Sequence, residues 1–178
     1  MAVAVMIYAG SKFIYTWGKA VPAAKSAVPA PASERGFVAR AIDGDTLKLS
    51  DGRRVRLIGV DTPELHYSEK LLRDSRRTQK DIKAIQALGR EAADFTKQLC
   101  ERKPVRIQTD VARHDKYGRL LAYIYLDDGT FVNAKILEEG YGQVMTIPPN
   151  VKYADYFLKL ERAARKERKG LWAVTDNI

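Results

Sequence analysis

Residues 46–60 constrain the fold more than any other part of the chain. Thr46-Leu47-Lys48-Leu49 alternates in polarity, Ser50-Asp51-Gly52 follows, and Arg54-Val55-Arg56-Leu57-Ile58-Gly59-Val60 resumes an extended pattern. Asp-Gly between two such runs is a strong β-hairpin signal, because the turn it favours matches the twist of paired strands. Side chains alternate along a strand, so Val55 and Leu57 share one face and Arg56 points away from it.

The rest of the pattern is strand-rich, with helices late in the chain. Residues 37–42 carry β-branched and aromatic members, and residues 104–109 begin with Pro104 where a strand tolerates it best. Residues 120–126 form another apolar run, closed by Asp127-Asp128-Gly129. Between them, residues 89–102 place Ala92, Phe95, Thr96 and Leu99 on one helical face. Val132, Ile136 and Leu137 mark a short helix that Gly140 can end. A longer helix is expected over 153–169, with Tyr153, Tyr156, Phe157, Leu160 and Ala164 as its stripe and Gly170 as its stop. Residues 65–88 are charged and weakly periodic, with short helical turns expected at Leu71-Leu72 and at Ile82, Ile85 and Leu88. There is no internal repeat. The expected class is α+β, mainly β: a five-stranded OB-type barrel with about three packed helices.

A chain of 178 residues suffices for one well-buried core and falls short of two ordinary domains. Residues 1–17 are mostly apolar, Lys12 interrupts them, and no Lys or Arg precedes the clean apolar run at residues 2–9. The clean apolar run is shorter than the roughly 20 residues that span a bilayer. We read it as an export or anchoring segment, which implies a secreted, periplasmic or membrane-anchored protein. Residues 18–35, with Pro22, Pro29 and Pro31, read as a linker. The folded domain is expected over 36–173 and a tail over 174–178. Cys100 is the sole cysteine, which excludes an intramolecular disulfide and a Cys-based zinc site. The formal charge of +9 suits a polyanionic partner, although a generic basic surface or attachment to an anionic membrane has the same signature.

Asp45 opens one hairpin strand and Asp61 follows its partner, so pairing brings both to one end of the sheet. Two adjacent carboxylates repel unless one is protonated or a cation binds, and a hard divalent ion seeks such oxygens. Taken alone, Asp43-Gly44-Asp45 reads sooner as a polar turn than as a ligand pair, and Asp61-Thr62-Pro63 sooner as a chain reversal. Glu64 has the chemistry to orient or deprotonate a water, or simply to be solvated. Arg56 and Arg119 offer planar, permanently charged forks that match phosphate oxygens; each also reads as a surface charge. His66 and His114 have no ligand partner at helical spacing and read as exposed loop residues. No Gly-rich phosphate loop and no Ser-His-Asp set is present.

Three clusters occur in order: Ala41-Ile42-Asp43-Gly44-Asp45-Thr46, then Arg56 through Asp61-Thr62-Pro63-Glu64, then Asp115-Lys116-Tyr117-Gly118-Arg119. With Leu121-Ala122-Tyr123-Ile124-Tyr125 and Lys169-Gly170-Leu171-Trp172, the set resembles the staphylococcal nuclease (thermonuclease) family over about 37–172. The resemblance implies an OB-type barrel and a calcium-dependent endonuclease acting on DNA and RNA, leaving 3′-phosphate and 5′-hydroxyl ends. It implies that Asp45 and Asp61 are carboxylate ligands of calcium and that the Thr62 carbonyl is another. It implies that Glu64 positions or activates the attacking water, and that Arg56 and Arg119 bind the phosphate and its transition state. Lys116 and Tyr117 are implied contacts to a terminal or neighbouring phosphate.

Two departures stand out. Residues 65–88 are longer than in the family prototype and rich in Arg and Lys. Residues 144–149 lack the tyrosines that the prototype sets against a base, so affinity is expected to lean on charge and to fall with salt. The rival reading is a non-catalytic OB-fold module that holds nucleic acid or a protein partner. The protein is expected to be a monomer.

Overall fold

The computed structural model describes residues 33–65, 69–78 and 81–173. The segment 1–17, most of the linker 18–35, His66 and the tail 174–178 lie outside the described residues. No described helix is long and apolar enough to cross a membrane.

Five strands close into a barrel in the order β1-β2-β3-β6-β5, with β5 pairing back to β1. They are β1 (Ser33–Ala41), β2 (Thr46–Leu49), β3 (Arg54–Leu57), β5 (Pro104–Gln108) and β6 (Leu120–Leu126). The expected hairpin is β2–β3, antiparallel, with Thr46 opposite Arg56 and Leu47 opposite Val55. Alternation fills the interior with Val38, Leu47, Leu49, Val55, Leu57, Val105, Ile107 and Ile124, all essentially inaccessible to solvent. Strand β1 opens at Ser33, before the expected start of the domain, because its first five residues pair with β5 from Gln108 back to Pro104.

Strand β3 is shorter than its apolar run. Residues 54–60 were expected to form one returning strand, but it breaks after Leu57. Gly59 has φ +79, a conformation L side chains rarely adopt, and a Cβ there would meet the Phe157 ring. The chain turns out of the barrel at this point. Residues Gly59–Asp61 become β4, which pairs with β7 (Gln143–Met145) and places Asp61 opposite Gln143.

Four α-helices occur among the described residues: α1 (Glu69–Thr78), α2 (Ile82–Cys100), α3 (Val132–Glu138) and α4 (Ala154–Lys166). The helix expected from Gly89 begins seven residues earlier, so Ile82, Ile85 and Leu88 belong to it and are not a separate turn. Asp81 caps it, its side chain accepting a bond from the Lys83 amide at 3.2 Å. Ile85, Gly89, Ala92, Thr96 and Cys100 form its buried face. Burial pushes the Cys100 thiol up to about 12, which makes it an inert core group.

Helix α3 packs on β6 and α4. Its Asn133 is fully buried: the side-chain oxygen accepts from the Ile124 amide at 2.9 Å, and the amide donates to the carbonyls of Ile58 at 2.9 Å and Ala122 at 3.2 Å. That side chain ties the end of β3 to β6. On α4, Phe157 and Ala164 are buried as expected, whereas Tyr156 is exposed. Tyr123, Phe131, Tyr153 and Phe157 form an aromatic cluster over β6.

Gly59→Ala should lower stability by about 2 kcal/mol, through backbone strain and the clash with Phe157. Urea denaturation checks this; an unchanged midpoint contradicts it.

Candidate active site

The Asp43–Thr46 turn sits where β1 passes into β2. The Thr46 carbonyl accepts from the Ile42 amide at 2.8 Å, and Asp43 Oδ1 accepts from the Asp45 amide at 3.0 Å. This turns the Asp45 side chain inward, where it is only 6 % exposed. Its Oδ1 meets Arg56 Nη1 at 2.7 Å and accepts from Thr46 Oγ1 at 3.0 Å. Its Oδ2 accepts from the Thr62 amide at 2.9 Å and from Thr62 Oγ1 at 3.1 Å.

Arg56 is buried as well, on the face of β3 opposite Val55 and Leu57. Register explains its position: Arg56 pairs with Thr46, the neighbour of Asp45. Its Nη1 also donates to the Val60 carbonyl at 2.7 Å, and Nη2 donates to Asp61 Oδ1 at 3.0 Å. The turn at Gly59 brings Val60 and Asp61 back over Arg56. The two carboxylates thus meet through one guanidinium and a strand break, rather than along an uninterrupted hairpin as expected. Burial and the Asp45 carboxylate push Asp43 up to about 7.

Arg119 reaches the same region through β6. Strand β3 pairs with β6 in parallel, Arg56 opposite Leu121, and Arg119 lies two residues before Leu121, just ahead of the strand. Arg56, Leu121 and Arg119 all line one cleft of about 460 Å³. Lys116 and Tyr117 line it too, and Met145, Ile147, Pro148 and Pro149 form an apolar side. Tyr117 is 64 % exposed, with Lys116 Nζ 5.0 Å and Arg119 Cζ 5.5 Å from its ring centroid. His114 is exposed and lines the same cleft.

Asp115 holds the Arg119 loop. Its Oδ1 accepts from the amides of Tyr117 and Arg119, each at 2.9 Å, and its Oδ2 accepts from Arg119 Nε at 2.6 Å. Gly118, with φ +74, makes that tight loop possible.

Asp45, Thr62, Asp61 and Arg56 are therefore one cluster, and Arg56, Arg119, Lys116 and Tyr117 share one cleft. Arg56 is common to both. Glu64 is half-buried two residues beyond Thr62, and its backbone lies against Gly89 of α2. Among the described residues, no group of three or more His, Cys, Asp or Glu side chains gathers to hold a metal. The donor set at the turn is two carboxylates beside peptide carbonyls, which is hard-oxygen chemistry.

A barrel whose rim gathers carboxylates on one side of an arginine and cationic side chains on the other defines a polyanion-binding protein of the OB type. Residues 54–174 match the family described as staphylococcal nuclease homologue. The chain is 39 % identical over 142 residues to a thermonuclease of Staphylococcus intermedius, covering 78 % of this chain and 76 % of that one. It is 37 % identical over 153 residues to a thermonuclease of Staphylococcus hyicus, covering 84 % and 82 %. It is 37 % identical over 144 residues to endonuclease YncB of Bacillus subtilis, covering 78 % and 62 %. The chain belongs to the staphylococcal nuclease family.

Three contributors escaped the sequence reading. Asp115 lay within a quoted cluster, yet nothing in its spacing announced three bonds into one loop. Gly89 read as a helix start and is an interior contact. Thr96 read as one of several stripe residues, although it donates to the Gly44 carbonyl at 2.8 Å.

Burial raises Asp115, but the Arg119 and Tyr117 amides and the Arg119 guanidinium outweigh it and hold the carboxyl below the usual range. A depressed folded value means stabilisation is present above the unfolded pKa near 3.8 and is lost as pH falls through the folded one. Asp115→Asn should cost about 2 kcal/mol at pH 7. The gap between variant and wild type should narrow below that range. Urea midpoints across pH test this; a gap that stays constant or widens in acid contradicts it.

Proposed function

We propose that this chain is an endonuclease, a metal-dependent phosphodiesterase that hydrolyses DNA and RNA. The observation that carries the reading is the double placement of Arg56, against Asp45 and Asp61 on one side and in the cleft with Arg119 on the other. The identity to thermonucleases and an endonuclease over most of the chain supports the same class.

In this reading Asp45, Asp61 and the Thr62 carbonyl hold Ca2+. Bound there, the ion would supply Lewis-acid charge for attack on a phosphodiester. The residues fit it: both carboxylates are fixed beside one guanidinium, and all the donors are oxygens.

Arg56 and Arg119 bind non-bridging oxygens of the phosphate, and they bind it better as charge accumulates during attack. Asp115 keeps Arg119 oriented. Glu64 orients the attacking water and takes up its proton. Lys116 and Tyr117 hold an adjacent phosphate. Water attacks phosphorus as its proton passes to Glu64, the bond to the 5′ oxygen breaks, and that oxygen takes a proton from solvent water. The ends are a 3′-phosphate and a 5′-hydroxyl.

The enzyme acts as a monomer, exported or anchored through residues 1–17. Its charge of +9 draws the substrate in, so apparent affinity falls with salt.

With DNA or RNA as substrate, hydrolysis should stop on addition of EGTA and resume with excess Ca2+. Arg119→Ala should reduce kcat on the order of a hundredfold or more, with circular dichroism unchanged. Asp45→Asn should abolish activity at low Ca2+. Normal digestion by Asp45→Asn, or full activity in EGTA, contradicts the assignment and leaves the binding-module reading.

A further inference from the structure

Helix α2 reaches both loops of this site from one face. Thr96, fully buried, donates its hydroxyl to the carbonyl of Gly44, the residue between Asp43 and Asp45. Gly44 is wedged on its other side as well: a Cβ there would lie 2.7–2.9 Å from the Thr62 side chain. Thr62 in turn donates two bonds to Asp45. Two helical turns earlier, about 10 Å along the axis, Gly89 faces the other loop. A Cβ at Gly89 would lie 2.7 Å from the Glu64 carbonyl and 2.8 Å from the Pro63 oxygen. Gln86, a further turn back, donates to the Leu65 carbonyl at 3.3 Å.

These contacts are not what a helix needs for its own stability. Helix propensity alone favours alanine over glycine at position 89. Valine would match the shape of Thr96 in the core but would leave the Gly44 carbonyl without its donor. The spacing of the two residues on one rigid helix fixes the distance between the Asp45 turn and the Glu64 turn.

We infer that Thr96 and Gly89 of α2 are positioning residues for the candidate site, Thr96 holding the carboxylate of Asp45 in place through Gly44 and Thr62, and Gly89 seating the Pro63–Glu64 turn. The functional half of this inference rests on the nuclease reading; the structural half does not.

The test measures amide hydrogen exchange at Thr62, whose N–H is bonded to Asp45, in the full-length protein. Thr96→Val should speed exchange at Thr62 about tenfold, while the β5–β6 ladder exchanges as in wild type. Thr96→Ser, which keeps the hydroxyl, should restore the wild-type rate. Ile136→Val, which trims a fully buried side chain of α3, should leave Thr62 unaffected. Calorimetric titration with CaCl2 gives the second readout. Thr96→Val should bind Ca2+ about tenfold more weakly, and Gly89→Ala should lower kcat with little change in KM. Unchanged exchange at Thr62 in Thr96→Val overturns the inference, and so does equal acceleration by Ile136→Val. Wild-type protein that neither binds Ca2+ nor cleaves DNA would refute the nuclease reading alone, because the exchange result decides the positioning role without it.

Discussion

The guanidinium of Arg56 is the joint on which this molecule turns. It contacts Asp45 at 2.7 Å, Asp61 at 3.0 Å and the Val60 carbonyl at 2.7 Å, with little access to solvent. A buried ion pair is a weak source of net stability, since desolvation offsets most of its Coulomb energy. Its value lies in geometry. Removing the arginine would leave Asp45 buried beside a second carboxylate, and removing either carboxylate would loosen the turn that carries the other. The cluster also divides the local field: Asp43, Asp45 and Asp61 lie on one side of Arg56, and Lys116 and Arg119 on the other. A phosphate bridged by a cation suits such a boundary, because it presents negative oxygens to the arginines and to the ion together.

Much of this was legible in the chain. The period of residues 46–57 gave the hairpin, the interior side chains and the outward face of Arg56. The stripe ending in Ala164 gave α4 to within a few residues. The ordered clusters gave the family. What was not legible depended on contacts across long stretches of sequence. Gly59 reads as one more strand residue until Phe157 lies where its Cβ would be. Gly89 reads as a boundary because glycine is poor in helices, and only the Pro63–Glu64 backbone explains it inside one. Strand β7 is three residues long, and no local pattern marks it; it exists because β4 leaves the barrel and needs a partner. The parallel pairing of β3 with β6, which sets Leu121 opposite Arg56 and brings the preceding Arg119 to the same cleft, joins segments more than sixty residues apart.

The apolar side of the cleft gives the family architecture a particular character here. Met145, Ile147 and Pro148 face the region of Lys116, Tyr117 and Arg119. Aliphatic side chains offer dispersion contact to a base but no aromatic face. Tyr117, itself exposed and flanked by two cations, is the single Phe, Tyr or Trp ring among the described residues lining the cleft, which the exposed His114 imidazole lines as well.

The most direct test is a crystal structure with Ca2+ and a short oligonucleotide whose scissile linkage resists hydrolysis. The account predicts one ion on the Asp45 and Asp61 carboxylates, with Arg56 and Arg119 both donating to the phosphate beside it. An ion bound elsewhere, or a phosphate that meets neither guanidinium, would contradict it.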